Sequence, residues 1–214
     1  MKLPTLASLL FVGLFSTGCV LGRRTISLDT PLAPSITASK GTATVTGVVD
    51  NRKFENKPKE PSTPSVDGDV NRMSPESREL MIGRQRNTYG MALGDIALSP
   101  GQTVPQQVRS LVETGLKTRG YEVISDPSAE TKVDVSIDQF WAWFTPGLFS
   151  VSFEARIYCM LSLSKNDKKT VLMIESSGVN EGQVASNENW KLAYSRAYED
   201  FLAKLASALE KVGF

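Results

Sequence analysis

The chain has 214 residues, with 24 Lys+Arg against 23 Asp+Glu, 41% hydrophobic and 22% charged residues, two cysteines and no histidine. That is the composition of a folded chain with one core plus tails, which excludes wholesale disorder, and a net charge of +1 leaves no basic face to displace counterions from nucleic-acid phosphates. Without histidine there is no Ser-His-Asp or Cys-His catalysis and no His-ligated zinc. Two cysteines build neither a four-cysteine metal site nor a disulfide framework, so no cofactor or metal is expected.

Met1 and Lys2 form a minimal positive start, followed by the largely apolar stretch from Leu3 to Phe15. It is too short for a bilayer-spanning helix, which needs about 20 residues, and has the length of a signal-peptide apolar region. Ser16-Thr17-Gly18-Cys19 closes it with small residues before a thiol, which resembles a bacterial lipobox. The resemblance implies cleavage before Cys19 and lipidation of its thiol. The departure is Ser16, where leucine is usual in lipoproteins. Val20 rather than aspartate after the cysteine implies, by the same resemblance, sorting to the outer membrane. Residues 1–18 are therefore expected to be a signal peptide and 19–41 a lipid-anchored tether, punctuated by Gly22, Pro31, Pro34 and Gly41, with residues 25–28 able to form a short edge strand.

Residues 42–214 read as one α+β domain. Thr42 to Val49 alternates as a first core strand, with Ala43, Val45 and Val49 facing one way and Thr44 and Thr46 the other. From Lys53 to Glu79, Pro58, Pro61, Pro64 and Pro75 stand among many charges and few apolar side chains. This segment is expected to be a flexible insertion that does not pack. Order resumes at Ile82-Gly83-Arg84, and Met91 to Leu98 is a second strand. Thr103 and Gln106 have capping-box spacing ahead of a helix whose stripe is Val104, Val108, Leu111, Val112 and Leu116, ended by Gly120. A short strand follows over residues 121–124.

Val133, Val135 and Ile137 alternate with Asp134, Ser136 and Asp138 in a strand running on to Phe144. After Pro146-Gly147, odd positions from 149 to 163 are apolar, which marks a long antiparallel strand with one buried face. Asn166-Asp167 turns the chain into a return strand from Thr170. A closing helix from about Asn187 to Val212 carries Trp190, Tyr194, Ala197, Phe201, Leu205, Ala208 and Val212 on one face. The predicted architecture is an antiparallel, largely meandering sheet of five or six strands with two amphipathic helices packed on one face.

Arg24-Thr25-Ile26-Ser27-Leu28, Asp50-Asn51-Arg52, Ile82-Gly83, residues 108–113 leading to Arg119-Gly120-Tyr121, and Val133-Asp134-Val135 occur in an order that resembles the YajG-type family of bacterial outer-membrane lipoproteins. The resemblance covers most of residues 25–210 and implies a location and a fold. Its motifs are structural, and it implies no reaction. The Pro-rich insertion around 53–79 departs from the family.

Asp50, Arg52 and Arg84 form a candidate polar cluster if the two stretches meet across the insertion; the alternative is a surface ion pair or a turn-stabilising Asx contact. Asp134 and Asp138, four apart on a strand, lie roughly 13 Å from each other, too far for a glycosidase-type carboxylate pair at ~5 Å. Trp141, Trp143, Phe144 and Phe149 surround the Pro146-Gly147 turn as a candidate partner surface, with core filling against Trp190 and Tyr194 as the alternative. Cys159 shares the apolar face of its strand and reads as an inert hydrophobe. The expected function is a non-catalytic, lipid-anchored binding or accessory module. It would face the periplasm at the outer membrane, joined to the membrane through Cys19 and to an envelope protein partner, with no nucleic acid. A structural oligomer subunit and a carboxylate-dependent enzyme are the alternatives.

Overall fold

A computed structural model of the chain describes residues 22–35, 40–87, 89–147 and 150–214. Among these residues the strands and α-helices follow in order: β1 (Arg24–Ile26), β2 (Thr42–Asp50), α1 (Pro75–Leu80), β3 (Met81–Arg86), β4 (Ala92–Leu98), α2 (Val104–Thr118), β5 (Glu122–Val123), β6 (Thr131–Pro146), β7 (Val151–Lys165), β8 (Lys168–Gly182) and α3 (Asn187–Lys211). The strands form one eight-stranded sheet centred on β6. β7 pairs along the whole of one side of β6 and carries β8 at its outer edge. On the other side, β2 lies parallel to the first half of β6 and β3 parallel to the second half.

The antiparallel meander holds for β6, β7 and β8, and the Asn166-Asp167 turn joins the last two with positive φ at both residues, the twist a two-residue hairpin requires. Elsewhere the expectation is corrected. The sheet is mixed, because β1–β4, β2–β5, β2–β6 and β3–β6 are parallel. Parallel neighbours need long crossovers, and the connection from β2 to β6 contains α1, β3, β4, α2 and β5. Of the strands beyond the predicted six, β1 falls at the short edge strand offered at 25–28, and β3, where order was expected to resume at Ile82-Gly83-Arg84, is too short for a two-residue period to announce it.

Local signals are realised closely. Thr103 and Gln106 make a complete capping box at the start of α2, and all five stripe residues of that helix are buried. Gly120 takes φ +87 after its end. Helix α3 starts on an Ser186 cap and buries Trp190, Tyr194, Ala197, Phe201 and Leu205 against the sheet. Both helices belong to one core, with the inward side chains of β6 and β7 as its floor.

Two bulges change which side chains enter that core. In β2 the register moves by one at Thr46, so Val49 is 57% exposed rather than sharing the buried face of Ala43 and Val45. In β6 one extra residue, Asp138, separates Ile137 from Gln139. Before it the odd positions face the helices; after it Phe140, Ala142 and Phe144 do, and Trp141 and Trp143 turn to the opposite face.

That opposite face is not left wet. The segment from 53 to 79, expected not to pack, folds over it together with Leu80. Val66 and Val70 are buried with Met81, Ala97, Trp141 and Trp143, and Phe54, Met73 and Leu80 close around them. Trp141 Nε1 donates to the Pro61 carbonyl at 3.2 Å, and Phe54 meets the Trp141 ring edge-on at 5.8 Å between centroids. Ser74 caps α1, with Pro75 in its first turn. The segment itself contributes few apolar side chains to this cluster, which is built around the two large rings of Trp141 and Trp143. Within the stretch expected as a tether, the short edge strand offered at 25–28 forms as Arg24–Ile26, parallel to β4, and Ile26 and Leu28 enter the main core.

Candidate functional site

The three residues of the predicted polar cluster separate into two centres. Asp50 and Arg52 come together. Arg52 is 1% exposed; its Nε and Nη2 donate to the two Asp50 carboxylate oxygens at 2.8 and 2.7 Å, and its remaining donors reach the carbonyls of Met81, Phe140 and Arg78 at 2.6, 2.8 and 2.8 Å. Every face of this guanidinium is taken. It ties the end of β2 to β3, to β6 and to α1, which is a structural role.

Arg84 belongs elsewhere. It sits opposite Asp95 in the β3–β4 register and beside Trp143, on the face covered by the 53–80 segment. Its side chain is 9% exposed, with Asp95 Oδ1 at 3.6 Å and Asp67 Oδ1 at 3.5 Å, and it makes no hydrogen bond to any described residue. Asp95 is 2% exposed and accepts from the Asp67 amide through both oxygens at 3.1 and 3.2 Å, with Arg23 at 3.8 Å. Burial raises the Asp95 pKa, opposed by that amide and by Arg84 and Arg23.

Arg86, on the same strand as Arg84, donates to the Pro58 carbonyl at 2.8 Å and to Ser65 Oγ at 3.0 Å. Both acceptors are neutral, and among the described residues no carboxylate pairs with it. Its pKa is lowered by burial and then by the neighbouring Arg84. These groups line two adjoining cavities that share Asp67, Arg84 and Ala92. One, of about 500 Å³, opens beside Gly22 and Arg23. The other, of about 420 Å³, is walled by Lys57, Arg84 and Arg86 and by the apolar Val66 and Met91. Tyr89 and Met91, 89% and 62% exposed, stand at the β3–β4 hairpin. The sequence reading missed Asp67, Arg86 and Asp95. An acidic residue inside the otherwise uncharged strand Ala92–Leu98 is the available signal, together with the cations at 84 and 86.

The predicted aromatic partner surface is corrected. Trp141, Trp143 and Phe144 are 0%, 6% and 8% exposed. Phe144 packs edge-on against Trp190 in the main core, and the two tryptophans lie beneath the 53–80 segment, because the Asp138 bulge splits the rings between two covered faces. Phe149 and Cys19 lie outside the described residues. Asp134 accepts from Thr46 Oγ1 at 2.6 Å, and both Asp134 and Asp138 are exposed. Cys159 is fully buried, and that burial pushes its thiol well up. Among the described residues no group of three acidic or cysteine side chains is placed to hold a metal, and no helix is long and apolar enough to cross a membrane.

A family model described as an uncharacterised lipoprotein matches residues 87–208, more than half of the chain. A search of curated proteins finds no match. Among solved structures, protein XCC0632 from Xanthomonas campestris, of the DUF330 family, aligns with a TM-score of 0.51 at 10% identity, covering 89% of this chain and 98% of that one. This is a likeness of fold. The hypothetical protein CT253 from Chlamydia trachomatis aligns with a TM-score of 0.32 at 11% identity over 80% of this chain and 99% of its own.

Proposed function

The chain belongs to the family of uncharacterised lipoproteins, and from that premise we propose that it is a lipid-anchored, non-catalytic binding module of the cell envelope. In this reading Cys19 carries the anchor, the domain faces the periplasm from the outer membrane, and the cleft beside β3 and β4 receives the partner. One observation carries the binding role. Arg84 and Arg86 are held in a partly apolar cleft by ion pairs beyond hydrogen-bond distance and by neutral oxygens, so their donors are available to an acceptor brought by another molecule. The test is photocrosslinking in cells from position 89 at the hairpin and from position 171 on β8. Reproducible adducts from 89 that vanish with Arg84→Gln support the reading; adducts from neither position contradict it.

A second reading, a structural oligomer subunit, has its own observation. At the outer edge of β8, α3 takes the Ser177 amide through Asp200 and the Val179 carbonyl through Arg196, whereas Val171 and Met173 stand 58% and 70% exposed. Antiparallel pairing of two such edges about Leu172 would oppose Lys169 to Glu175 and Val171 to Met173. Light scattering of the purified lipoprotein in detergent separates the readings: a monomer–dimer shift abolished by Met173→Lys favours this one.

A further inference from the structure

The cleft has a charge balance and a position that together define a class of ligand. Lys57, Arg84 and Arg86 line the 420 Å³ cavity with Asp67 as the one carboxylate among its lining residues, and Asp95, which pairs with Arg84 from the adjoining cavity, is itself faced by Arg23, so the two cavities together keep an excess of two positive charges. Two guanidiniums on one strand present planar pairs of donors, the geometry that matches a phosphate or carboxylate oxygen pair. An excess of two favours a dianion. Val66 and Met91 add apolar lining to the same cavity, which therefore matches a charged head joined to an apolar body.

Position narrows the source. The adjoining cavity opens beside Gly22 and Arg23, and β1 begins at Arg24. Only Val20 and Leu21 separate Cys19 from Gly22, three peptide steps that span at most about 11 Å. On the proposed anchor, the cleft is thus held at the level of the lipid headgroups.

We propose that the cavity between Arg84, Arg86 and Lys57 is a binding site for a phosphate-monoester group carried on an apolar body, the chemistry of an anionic lipid of the phosphatidic-acid type. Arg86 and Lys57 receive the phosphate, Arg84 shares its charge between the ligand and Asp95, and Met91 and Val66 cover the first apolar atoms. The site deepens the reading of an anchored binding module and rests on it for the source of the ligand.

Calorimetry on the purified lipoprotein in nonionic detergent tests it, with three probes: dihexanoylphosphatidic acid, dihexanoylphosphatidylcholine and inorganic phosphate. The expected result is that the phosphatidic acid binds at least tenfold tighter than either other probe. Arg86→Gln weakens it at least tenfold, and so does Met91→Glu, which replaces part of the apolar cover with a negative charge at an exposed position. Equal binding of phosphatidic acid and inorganic phosphate overturns the lipid assignment. Absence of phosphatidic-acid binding, or binding unchanged in both variants while each unfolds thermally like the parent, overturns the site. Such a failure leaves the crosslinking result at position 89 untouched, so the site and the wider reading fail separately.

Discussion

Arg52 and Asp50 form a two-pronged ion pair inside the protein, with side chains 0% and 5% exposed and N–O distances of 2.8 and 2.7 Å. The same guanidinium closes three main-chain carbonyls, on Arg78, Met81 and Phe140. A buried charge of this kind is tolerated only while all its partners remain. Asp50→Ala, which leaves the guanidinium uncompensated, is expected to cost about 3–5 kcal/mol. Arg52→Lys keeps the charge but not the fork and is expected to cost at least about 2 kcal/mol. Urea unfolding of the two variants checks both values.

The crossing of α3 over β8 depends on Gly178. A Cβ there would collide with the Ala193 carbonyl and the Ala197 amide, both main-chain atoms of the helix. At Gly115 the collision is with the end of the Leu205 side chain, which can rotate away. Gly178→Ala is therefore expected to destabilise by about 3 kcal/mol or more and Gly115→Ala by about 1 kcal/mol. Thermal unfolding that ranks the two in the reverse order contradicts this packing.

Asp95 sets a pH dependence whose sign follows from its raised pKa, caused first by burial. The folded state holds the proton to higher pH than the unfolded state does. Asp95 is therefore neutral and without penalty below the ordinary carboxylate value of 3.8, and disfavours the fold increasingly as pH rises through its raised value. The stability of the parent minus that of Asp95→Asn is expected to fall as pH increases across that window and to level off above it. Denaturant titrations at stepped pH measure the difference; a rise instead of a fall refutes the assignment.

Trp141 is the post on which the 53–80 segment rests. Trp141→Ala is expected to cost about 3–5 kcal/mol and to open residues 53–80 to protease before the rest of the chain. Trp141→Phe keeps most of the apolar area and loses the bond to the Pro61 carbonyl, for a loss nearer 1 kcal/mol. Limited proteolysis with mass mapping of the first cut distinguishes these outcomes.

How legible each part was in the sequence depended on the range of its cause. The Thr103 capping box, the α2 stripe, the β7 alternation and the Asn166-Asp167 turn are set by residues within a few positions of one another, and the structure reproduces them. The burial of Trp141 depends on Pro61 and Val66, nearly eighty residues earlier, and on a bulge at Asp138 that no local pattern marks. Parallel pairing of β2 with β6 has the same long-range origin. Among the site residues, Asp50 and Arg52 were legible as a pair because they are two apart on one strand end. The pairing of Arg84 with Asp95 was not, because it arises from hairpin register between a strand too short to read and one whose acidic residue looked like an interruption.

The proposed anchor at Cys19 is the premise from which the position of the cleft at the membrane surface follows. Intact-mass analysis of the chain purified from membranes tests it most directly. The expected result is a mature protein that begins at Cys19, carries acyl chains on that residue, and leaves the membrane fraction when Cys19 is replaced by serine. A chain that retains residues 1–18, or one that begins at Cys19 without acyl chains and remains in the soluble fraction, would contradict it.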